Sequence, residues 1–503
     1  MELASGLIDG FRISLQPNNL LFAFIGVLLG TLVGVLPGLG PVATMSLLLP
    51  LTLKLPPVTA IIMLAGIYYG TMYGGSTTSI LINIPGEAAS VITCLDGHMM
   101  AREGRAGPAL GIAAFGSFIA GTIGVIILTF IAPLLAVVAL KFGPPEYFSL
   151  IVAGLTILSF LASGSLWKSL LMAALGIFIS IIGVDSMTGT ARYTFGIIEL
   201  MDGVGFVPVV MGLFGIGEVL INLEQEMTRS IFKTEIKGLL PTLRDWADSL
   251  GPIFRGTFLG FFLGILPGGG GVISSFVSYA IERKISKHPQ KFGTGVIEGV
   301  AAPESANNSA TAGAFVPLLT LGIPSNPVMA MLLGAFIING IQPGPLLVKE
   351  HPEIFWGTIT SMYVGNAMLL VLNLPLIPLW VRILKIPYRF LFSLILLIIL
   401  IGAYALNNSR IDLMITVFFG IVGYLSRKFK YDTPPLLLAM ILGPMMELAL
   451  RRSLLLSGGS PAIFFTRPIS LIFLIGAILI LLFSIMPWLR RKIKFLPEKP
   501  EID

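Results

Sequence analysis

Long apolar runs alternate with short polar stretches along almost the whole chain, from Leu20 to Pro487. A run of about 20 apolar residues is long enough to span a bilayer as a helix. The pattern therefore predicts an all-α polytopic membrane protein with roughly 10–14 membrane segments. The runs that we interpret as packing and framing helices are approximately Leu110–Leu140, Tyr147–Ala162, Leu166–Val184 and Phe195–Leu220.

Two of the apolar regions carry polar residues at their centres. In one region, hydroxyl and amide residues cluster between Ser305 and Thr311; in the other, the polar segment GGSTTSILINIPGE runs from Gly74 to Glu87. Each unsatisfied polar group in hydrocarbon costs several kcal/mol, so irregular polar backbone persists there only when it is buried in protein or lines a watery cavity. These segments predict two re-entrant hairpins at a substrate or ion site, and tight helix packing by small polar residues is the alternative.

The chain also contains two breaks rich in glycine and proline, PGLGP at Pro37–Pro41 and PGGGG at Pro267–Gly271. Each break predicts a discontinuous helix, because neither residue type continues a regular helix well. The segment GVLLGTLVGVLPGLGP, starting at Gly26, aligns with GTFLGFFLGILPGGGG, starting at Gly256, at a constant offset of 230 residues. The match predicts an internal repeat in which glycines at four-residue spacing form a close helix-packing face.

Basic residues indicate how the two copies of the repeat lie in the membrane. A single lysine, Lys54, follows the first break, whereas four basic residues lie between Glu282 and Lys291 after the second. Cytoplasmic loops are enriched in Lys and Arg, so the two copies are predicted to be inverted, as in many transporters. We expect a first membrane half, an amphipathic linker, and a second membrane half with additional C-terminal helices, at residues 1–221, 222–252 and 253–503.

Composition supports a membrane protein and limits its chemistry. Of 503 residues, 55% are hydrophobic and 12% are charged, and the mean hydropathy is +0.93. The net charge of +6 comes from short clusters such as Arg427–Lys430 and Arg490–Lys494, which are typical of cytoplasmic loops and not of a nucleic-acid-binding protein. With one cysteine and three scattered histidines, neither a multi-cysteine metal site nor a usual hydrolase arrangement is expected.

Helix ends inside a membrane protein offer two kinds of ligand. Unpaired N–H groups at helix starts suit a carboxylate, and carbonyl, hydroxyl and amide oxygens suit a cation such as Na⁺. As substrate-binding residues we predict the polar side chains of both runs, Ser76, Thr77, Thr78, Ser79, Asn307, Asn308, Ser309 and Thr311. As cation-binding residues we predict positions at breaks and turns, Gly38, Gly40, Gly74, Asn83, Gly268, Gly270, Ser325 and Asn326. A purely structural hinge is the alternative for the breaks.

Carboxylates at membrane depth are costly to bury, so a carboxylate found there indicates a functional role. Glu304 precedes the second polar run and is a candidate proton carrier; Glu298, Glu87 and Asp96 are open to the same interpretation. For all four, a position in a loop is the alternative. No resident cofactor or metal is expected, the only small ions being co-transported Na⁺ or H⁺.

At these motifs the sequence resembles the large membrane subunit of the tripartite tricarboxylate transporters, the TctA-type family. The resemblance covers both halves of the chain. It rests on GVLPGLGP at Gly34–Pro41, on YGGSTTSILINIPGEAASVITCLDGHMMAREGRAGPAL at Tyr73–Leu110, and on GVAAPESANNSATAGAFVPLLTLGIPSNPVMAMLLGAFIINGIQPGP at Gly299–Pro345.

The resemblance implies a multi-pass secondary transporter of the bacterial inner membrane, not an enzyme, that imports a di- or tricarboxylate such as citrate with a cation gradient. Its partners would be a small four-helix membrane subunit, a periplasmic solute-binding protein and the lipid bilayer, with no nucleic acid. An elevator-type motion of the hairpin-bearing segments is expected by analogy. The alternatives are the large subunit of a C4-dicarboxylate binding-protein-dependent transporter, a channel, or an intramembrane enzyme.

Overall fold

The structure is a computed structural model that describes residues 2–36, 39–161, 165–224, 238–268, 270–383 and 388–485. Three parts of the sequence interpretation lie outside the described residues: Gly38, the middle of the predicted linker at 225–237, and the basic Arg490–Lys494 cluster.

The described chain is almost entirely helical. The α-helices before the linker are α1 Glu2–Ser14, α2 Pro17–Gly34, α3 Pro41–Leu48, α4 Pro57–Ile82, α5 Val91–Arg102, α6 Ala106–Ala139, α7 Pro144–Leu161, α8 Leu166–Ser180, α9 Phe206–Val210 and α10 Gly217–Glu224. A π-helical segment, Met211–Ile216, joins α9 to α10. An antiparallel hairpin, β1 Gly183–Val184 and β2 Ala191–Arg192, follows α8. The 3₁₀ turns in this half are Leu49–Thr52, Ala88–Ser90 and Ile198–Leu200.

The second half continues the helical pattern, with one 3₁₀ turn at Pro289–Lys291. Its α-helices are α11 Leu243–Ile265, α12 Gly270–Ile285, α13 Glu298–Leu321, α14 Pro327–Ile338, α15 Leu347–Glu350, α16 Pro352–Asn373, α17 Ile377–Ile383, α18 Tyr388–Asn407, α19 Arg410–Lys428, α20 Pro434–Leu456, α21 Ile463–Thr466 and α22 Pro468–Ile485.

Seven helical segments among the described residues are long and apolar enough to cross a membrane, and shorter apolar helices accompany them. The prediction of an all-α polytopic membrane protein is therefore confirmed. The predicted run Phe195–Leu220 is wrong at its start, because the helix begins at Phe206. Gly196 and Gly203 adopt positive φ, and Phe195 is 85% exposed, so the residues before Phe206 form a loop.

Both glycine faces of the repeat are surfaces of close backbone contact. A Cβ atom added at Gly26, Gly30 or Gly34 of α2 would lie under 3.0 Å from a backbone carbonyl of α4, at Met63, Ile67 and Thr71 respectively. A Cβ added at Gly256, Gly260 or Gly264 of α11 would meet α13 in the same way, at Ala302, Ala306 and Ala310. In both copies the residue numbers rise together, so α2 runs parallel to α4 and α11 runs parallel to α13.

The second Gly/Pro break, at Pro267–Gly271, reverses the direction of the chain instead of interrupting a straight helix. Gly271 of α12 lies beside Asn307, and the Ser275 hydroxyl donates to the Pro303 carbonyl at 3.2 Å, so α12 runs antiparallel to α13. Because α11 is parallel to α13, α11 and α12 are antiparallel to each other and form a helical hairpin. Its two arms are joined by a hydrogen-bonded ion pair between Arg255 and Glu282.

The polar runs, in contrast, lie inside continuous helices, which corrects the prediction of irregular backbone there. Helix α4 passes through Ser76–Ser79 and α13 passes through Ser305–Thr311 without a break. The hydroxyls of Thr78, Ser79 and Thr311 bond to carbonyls of the preceding turn, as in the Ser79 to Gly75 bond of 3.0 Å, so the helix itself satisfies these three. The chain turns only after these helices, at Asn83 and Gly322, which both adopt the left-handed conformation that ends many helices, with φ of 57° and 69°.

The two long helices that carry the polar runs, α4 and α13, cross in opposite directions. Ser76 of α4 contacts Glu304 near the start of α13, whereas the Tyr69 ring of α4 lies 6.2 Å from the Phe315 ring, further along α13. Helix α4 runs parallel to α2, and α13 runs parallel to α11. The antiparallel crossing of α4 and α13 therefore means that the two repeats are inverted. The interpretation from the basic loops agrees with this geometry.

Helix α11 begins inside the predicted linker of residues 222–252. Thr242 caps it in a capping box with Asp245, and Asp245 also pairs with Arg105 at 2.6 Å. The residues from Leu243 to Gly251 therefore belong to the first arm of the α11–α12 hairpin.

We predict that Gly260→Ala destabilises the protein by about 1–3 kcal/mol, because its Cβ would overlap the Ala306 carbonyl and push α11 away from α13. Thermal unfolding in detergent measures the effect. The matched control is Gly476→Ala in α22, where an added Cβ meets nothing within 4 Å. Equal melting temperatures for the two variants would contradict the packing role of the glycine face.

A second prediction concerns Asp185 in the loop after α8. The Met187 N–H, at 2.8 Å, and the Arg451 guanidinium hold the pKa of the Asp185 carboxyl well below its usual range. A depressed pKa stabilises the fold above the unfolded pKa of about 4 and loses that contribution as pH falls. The stability advantage of the wild type over Asp185→Asn should therefore shrink below about pH 4. The exposed Asp202→Asn variant is the control, and a pH-independent difference for Asp185→Asn would refute the prediction.

Candidate functional site

A cavity of about 650 Å³ lies where the two repeats meet. Its volume is in the usual range for sites that hold a small organic ligand. Both Gly/Pro breaks and both turns after the long helices contribute to its wall. The lining residues from these four segments are Gly40 and Pro41, Gly268, Gly270 and Gly271, Pro85 to Ala89, and Asn326 to Val328.

Four helices begin at this cavity: α20 at Pro434, and three helices that follow the breaks and turns of the two repeats. Helix α3 starts at Pro41, α12 at Gly270 and α14 at Pro327. Helix starts present unpaired N–H groups and the positive end of the helix dipole, which together favour an anion. Arg427 is the one basic residue among those lining the cavity, and it forms an ion pair with Glu218. The cavity can therefore attract a carboxylate through backbone groups without an unpaired arginine or lysine.

The two turns that reach the cavity are built alike. Glu87 stands four residues after Asn83, and Asn326 stands four residues after Gly322. Both have extended backbone, with φ of −146° and −152°, and both side chains cap the helical turn that follows. A Glu87 carboxylate oxygen accepts the Ala89 N–H, and the Asn326 amide oxygen accepts the Met329 N–H at 3.0 Å.

The predicted cation-binding residues divide between the cavity and other places. Gly40, Gly268, Gly270 and Asn326 line the cavity. Ser325 lies beside it: its carbonyl accepts the Gly268 N–H at 2.8 Å, and its buried hydroxyl has no hydrogen-bond partner among the described residues.

Two of the other predicted cation positions, Gly74 and Asn83, do not line the cavity. Gly74 packs against Thr31 of α2, where an added Cβ would lie under 3.0 Å from the Thr31 carbonyl. Asn83 is exposed at the end of α4, and Gly38 lies outside the described residues.

The predicted substrate-binding residues are buried between helices and do not line the 650 Å³ cavity. Two voids of about 20 and 10 Å³ lie among them. One void is bordered by Asn308 and Thr311 and the other by Ser76 and Thr77. A water molecule needs roughly 10–15 Å³, so neither void can hold a carboxylate in this conformation.

Most of the polar-run side chains bond within the helix bundle. The Asn308 amide donates to the Ser117 hydroxyl at 2.7 Å, and the Thr78 and Thr311 hydroxyls bond to carbonyls of their own helices. Ser309 has a buried hydroxyl with no partner among the described residues. Asn307 reaches furthest toward the cavity, because its amide donates to Glu87 at 3.3 Å.

Glu304 lies at the contact between the two repeats. Its carboxylate is 1% exposed and accepts hydrogen bonds from Ser76 at 2.5 Å and from Thr93 of α5. None of the described basic residues forms an ion pair with it. The geometry supplies two hydroxyl donors to a buried carboxylate, and the role of Glu304 as proton carrier stays a prediction.

Sequence reasoning missed several of the residues that organise this region. Glu87 was noted only as a membrane-depth acid, although its position directly after a Pro-Gly turn resembles that of Asn326. Thr93 carried no signal in the sequence. Asn366 accepts the Tyr73 hydroxyl at 2.8 Å and donates to the Phe118 carbonyl. Its position as a lone amide in an apolar run is the sequence signal that could have identified it.

Cysteine labelling tests the cavity directly. We predict that Ala88→Cys, at an exposed position in the cavity wall, reacts with a maleimide, whereas Ala89→Cys, at a position 1% exposed, does not. Both substitutions are made in a Cys94→Ser background, which removes the single native thiol. An Ala88→Cys variant that does not react with the maleimide would show that this cavity is closed or absent.

Comparison with known proteins identifies the family. The sequence model of the tripartite tricarboxylate transporter TctA family matches residues 20–438. An uncharacterized 52.8 kDa protein in the TAR-I ttuC' 3' region of Agrobacterium vitis is 50% identical over 492 residues, covering 98% of each chain. An uncharacterized protein in the TAR-II ttuC' 3' region of the same organism is 48% identical over 233 residues, covering 46% of this chain and 96% of the relative.

No solved structure matches this chain. The TctA family is one of transporters, which supports the prediction that the chain is not an enzyme. The family match spans both repeats and the cavity between them. The chain is a multi-pass membrane protein that belongs to the tripartite tricarboxylate transporter TctA family.

Proposed function

We propose that this chain is the translocating subunit of a cation-driven importer of a small di- or tricarboxylate, resembling citrate, in a bacterial inner membrane. The observation that carries the proposal is the 650 Å³ cavity at which α3, α12 and α14 begin. Three helix starts supply N–H donors for several carboxylate oxygens at once. The family description supports a tricarboxylate as the substrate class.

The proposal includes two partner proteins that the tripartite description implies. A periplasmic solute-binding protein would deliver the carboxylate, and a small four-helix membrane subunit would accompany this chain in the bilayer. The selectivity for one carboxylate would then be shared with the binding protein, since the cavity recognises carboxylates mainly through backbone groups that are the same in any sequence.

The cavity wall also indicates an orientation. Arg427, at the end of α19, and Asp432 line one side of it, next to the basic residues Lys428 and Lys430. Clustered basic residues favour the cytoplasmic side of a membrane protein. We therefore interpret the cavity as open toward the cytoplasm, the state from which an importer releases its substrate.

The buried polar residues belong to a different stage of this proposed cycle. Ser76–Ser79, Asn308, Ser309 and Thr311 lie in the contact between α4, α6 and α13, and they can reach a substrate only when these helices separate. An elevator-type motion of one repeat against its scaffold would do this. Glu304 joins α4 to α13 through Ser76, so this hydrogen bond would break as the helices separate.

Uptake into liposomes tests the proposed function. The chain is reconstituted with its small membrane partner, loaded binding protein is supplied outside, and an inward Na⁺ or H⁺ gradient is imposed separately. We expect citrate to accumulate against its gradient only when all three proteins and one of the two ion gradients are present. Omission of the binding protein is the control.

Other outcomes would identify a different function. Accumulation of succinate but not of citrate would favour the C4-dicarboxylate alternative. Flux that does not saturate and does not need the binding protein would indicate a channel, and chemical conversion of the substrate would indicate an enzyme. No accumulation under either gradient would contradict the proposed secondary transport.

A further inference from the structure

The internal repeat offers a direct comparison for Glu87. Glu87 and Asn326 occupy equivalent positions after equivalent turns, with the same extended backbone, and both line the 650 Å³ cavity. Each side chain caps the helical turn that follows it. The second repeat performs this task with a neutral amide. Capping therefore explains the side-chain oxygen of Glu87 but does not require its negative charge.

The charge of Glu87 is also poorly compensated. The side chain is 5% exposed, and none of the described Lys, Arg or His residues forms an ion pair with it. The carboxylate accepts the Ala89 N–H and the Asn307 amide, the latter at 3.3 Å, and the Ser90 N–H completes its capping box. These donors are all neutral, and a buried carboxylate that faces no cation among the described residues is favoured to bind a proton or a metal cation.

A second polar group at the same place has an open coordination position. The side-chain carbonyl of Asn307 is buried, 1% exposed, and has no hydrogen-bond partner among the described residues. It points at the start of α12, where Gly271 has no side chain; an added Cβ there would overlap the Asn307 oxygen. A carboxylate and an unpartnered carbonyl from opposite repeats are thus adjacent. Such oxygens are the ligands that a small monovalent cation takes in transporters.

The position of Glu87 conflicts with the anion that the cavity is proposed to hold. A citrate-like substrate drawn to the starts of α3, α12 and α14 would lie in the same cavity as the Glu87 carboxylate. Like charges repel strongly where water is scarce. The anion and an ionised Glu87 are therefore poor neighbours, whereas a neutralised Glu87 removes the repulsion.

We propose that Glu87, together with the Asn307 side-chain carbonyl, holds the single positive charge, Na⁺ or H⁺, that must be bound before the carboxylate is held. This proposal rests on the proposed carboxylate transport and names the residue at which transport is coupled to the ion. Binding of the cation and binding of the carboxylate then reinforce each other. The cation neutralises Glu87, which would otherwise repel the carboxylate, and the bound carboxylate in turn attracts the cation. The coupling is reciprocal by thermodynamic necessity.

The groups around Glu87 distinguish it from the other acidic residues of this region. Tyr68 of α4, Cys94 of α5 and Glu304 of α13 lie within electrostatic range of it. The first turn of α12 brings only glycine and apolar residues to the cavity. The other described acids that line it are Glu218, which forms an ion pair with Arg427, and Asp432. Glu304 does not line the cavity and faces Ser76 and Thr93 instead.

The experiment uses two neutral substitutions in the full chain, reconstituted with its partners. Glu87→Gln keeps the size of the side chain, and Glu87→Asn copies the residue that caps the equivalent turn at Asn326. We expect both to lower gradient-driven citrate accumulation by about 10-fold or more, a typical size for coupled sites. Citrate exchange between two equal pools should persist, because it needs no net ion movement. Glu103→Gln, at an exposed position outside the cavity, is the matched control.

A binding measurement distinguishes the two ions. The melting temperature of the purified chain is followed as NaCl replaces choline chloride at constant ionic strength. If Na⁺ is the ion, it stabilises the wild type and the Glu103→Gln control but neither Glu87 variant. If H⁺ is the ion, Na⁺ has no such effect, and accumulation in the wild type needs the proton gradient alone.

The results that would overturn the inference differ from those that would overturn the proposed function. Wild-type protein that accumulates no carboxylate under either gradient contradicts the proposed function. Wild-type protein that accumulates citrate, with Glu87→Gln and Glu87→Asn accumulating it equally well, contradicts only the role of Glu87. Loss of exchange together with accumulation, in variants that melt at the wild-type temperature, also overturns it, because Glu87 would then be needed for translocation itself.

Discussion

The direct contact between glycine backbones and the long helices is the constraint on which this architecture depends. At Gly256, Gly260 and Gly264, α11 touches carbonyls of α13, and no side chain fits between the two helices. In lipid no hydrophobic force drives two helices together, so close backbone contact must supply the association. This contact fixes the depth to which the hairpin inserts. It therefore fixes the place where Gly268 and Gly270 meet the turn at Ser325 and form one wall of the cavity.

Because the repeats are inverted, non-equivalent positions of the two repeats contact each other, and these contacts determine which polar groups meet at the site. Because α4 and α13 cross in opposite directions, the hydroxyls near the end of α4 meet the acid near the start of α13, as Ser76 meets Glu304. Each repeat alone contains half of such a contact. The same inversion places the turn with Glu87 beside Asn307 of the other repeat. A symmetric backbone thus carries an asymmetric set of polar groups, which a transporter needs in order to bind different ions and substrates at related places.

The sequence predicted the membrane class, the repeat, its inversion and its packing glycines, because glycine spacing and basic loops are local signals with a direct physical meaning. It misplaced the irregular backbone. Gly74, Ser76 and Thr78 are unfavourable in an isolated helix, yet α4 continues through them, since the glycine packs against Thr31 and the hydroxyls bond within the helix. Such tertiary contacts override local propensity. Likewise the cavity joins residues from four separate segments, and no spacing along the chain could show that Gly40, Glu87, Gly270 and Asn326 share one wall.

The absence of an unpaired arginine from the described cavity wall suits transport better than tight binding. Two parallel hydrogen bonds from a guanidinium hold a carboxylate firmly and keep their charge at any physiological pH. Helix starts provide only about half a positive charge each, and the ionised Glu87 carboxylate offsets much of what α3, α12 and α14 supply. The net attraction for an anion then depends on whether Glu87 carries a cation. A site of this kind can hold its substrate when the ion is present and release it when the ion leaves, which a permanently charged clamp cannot do.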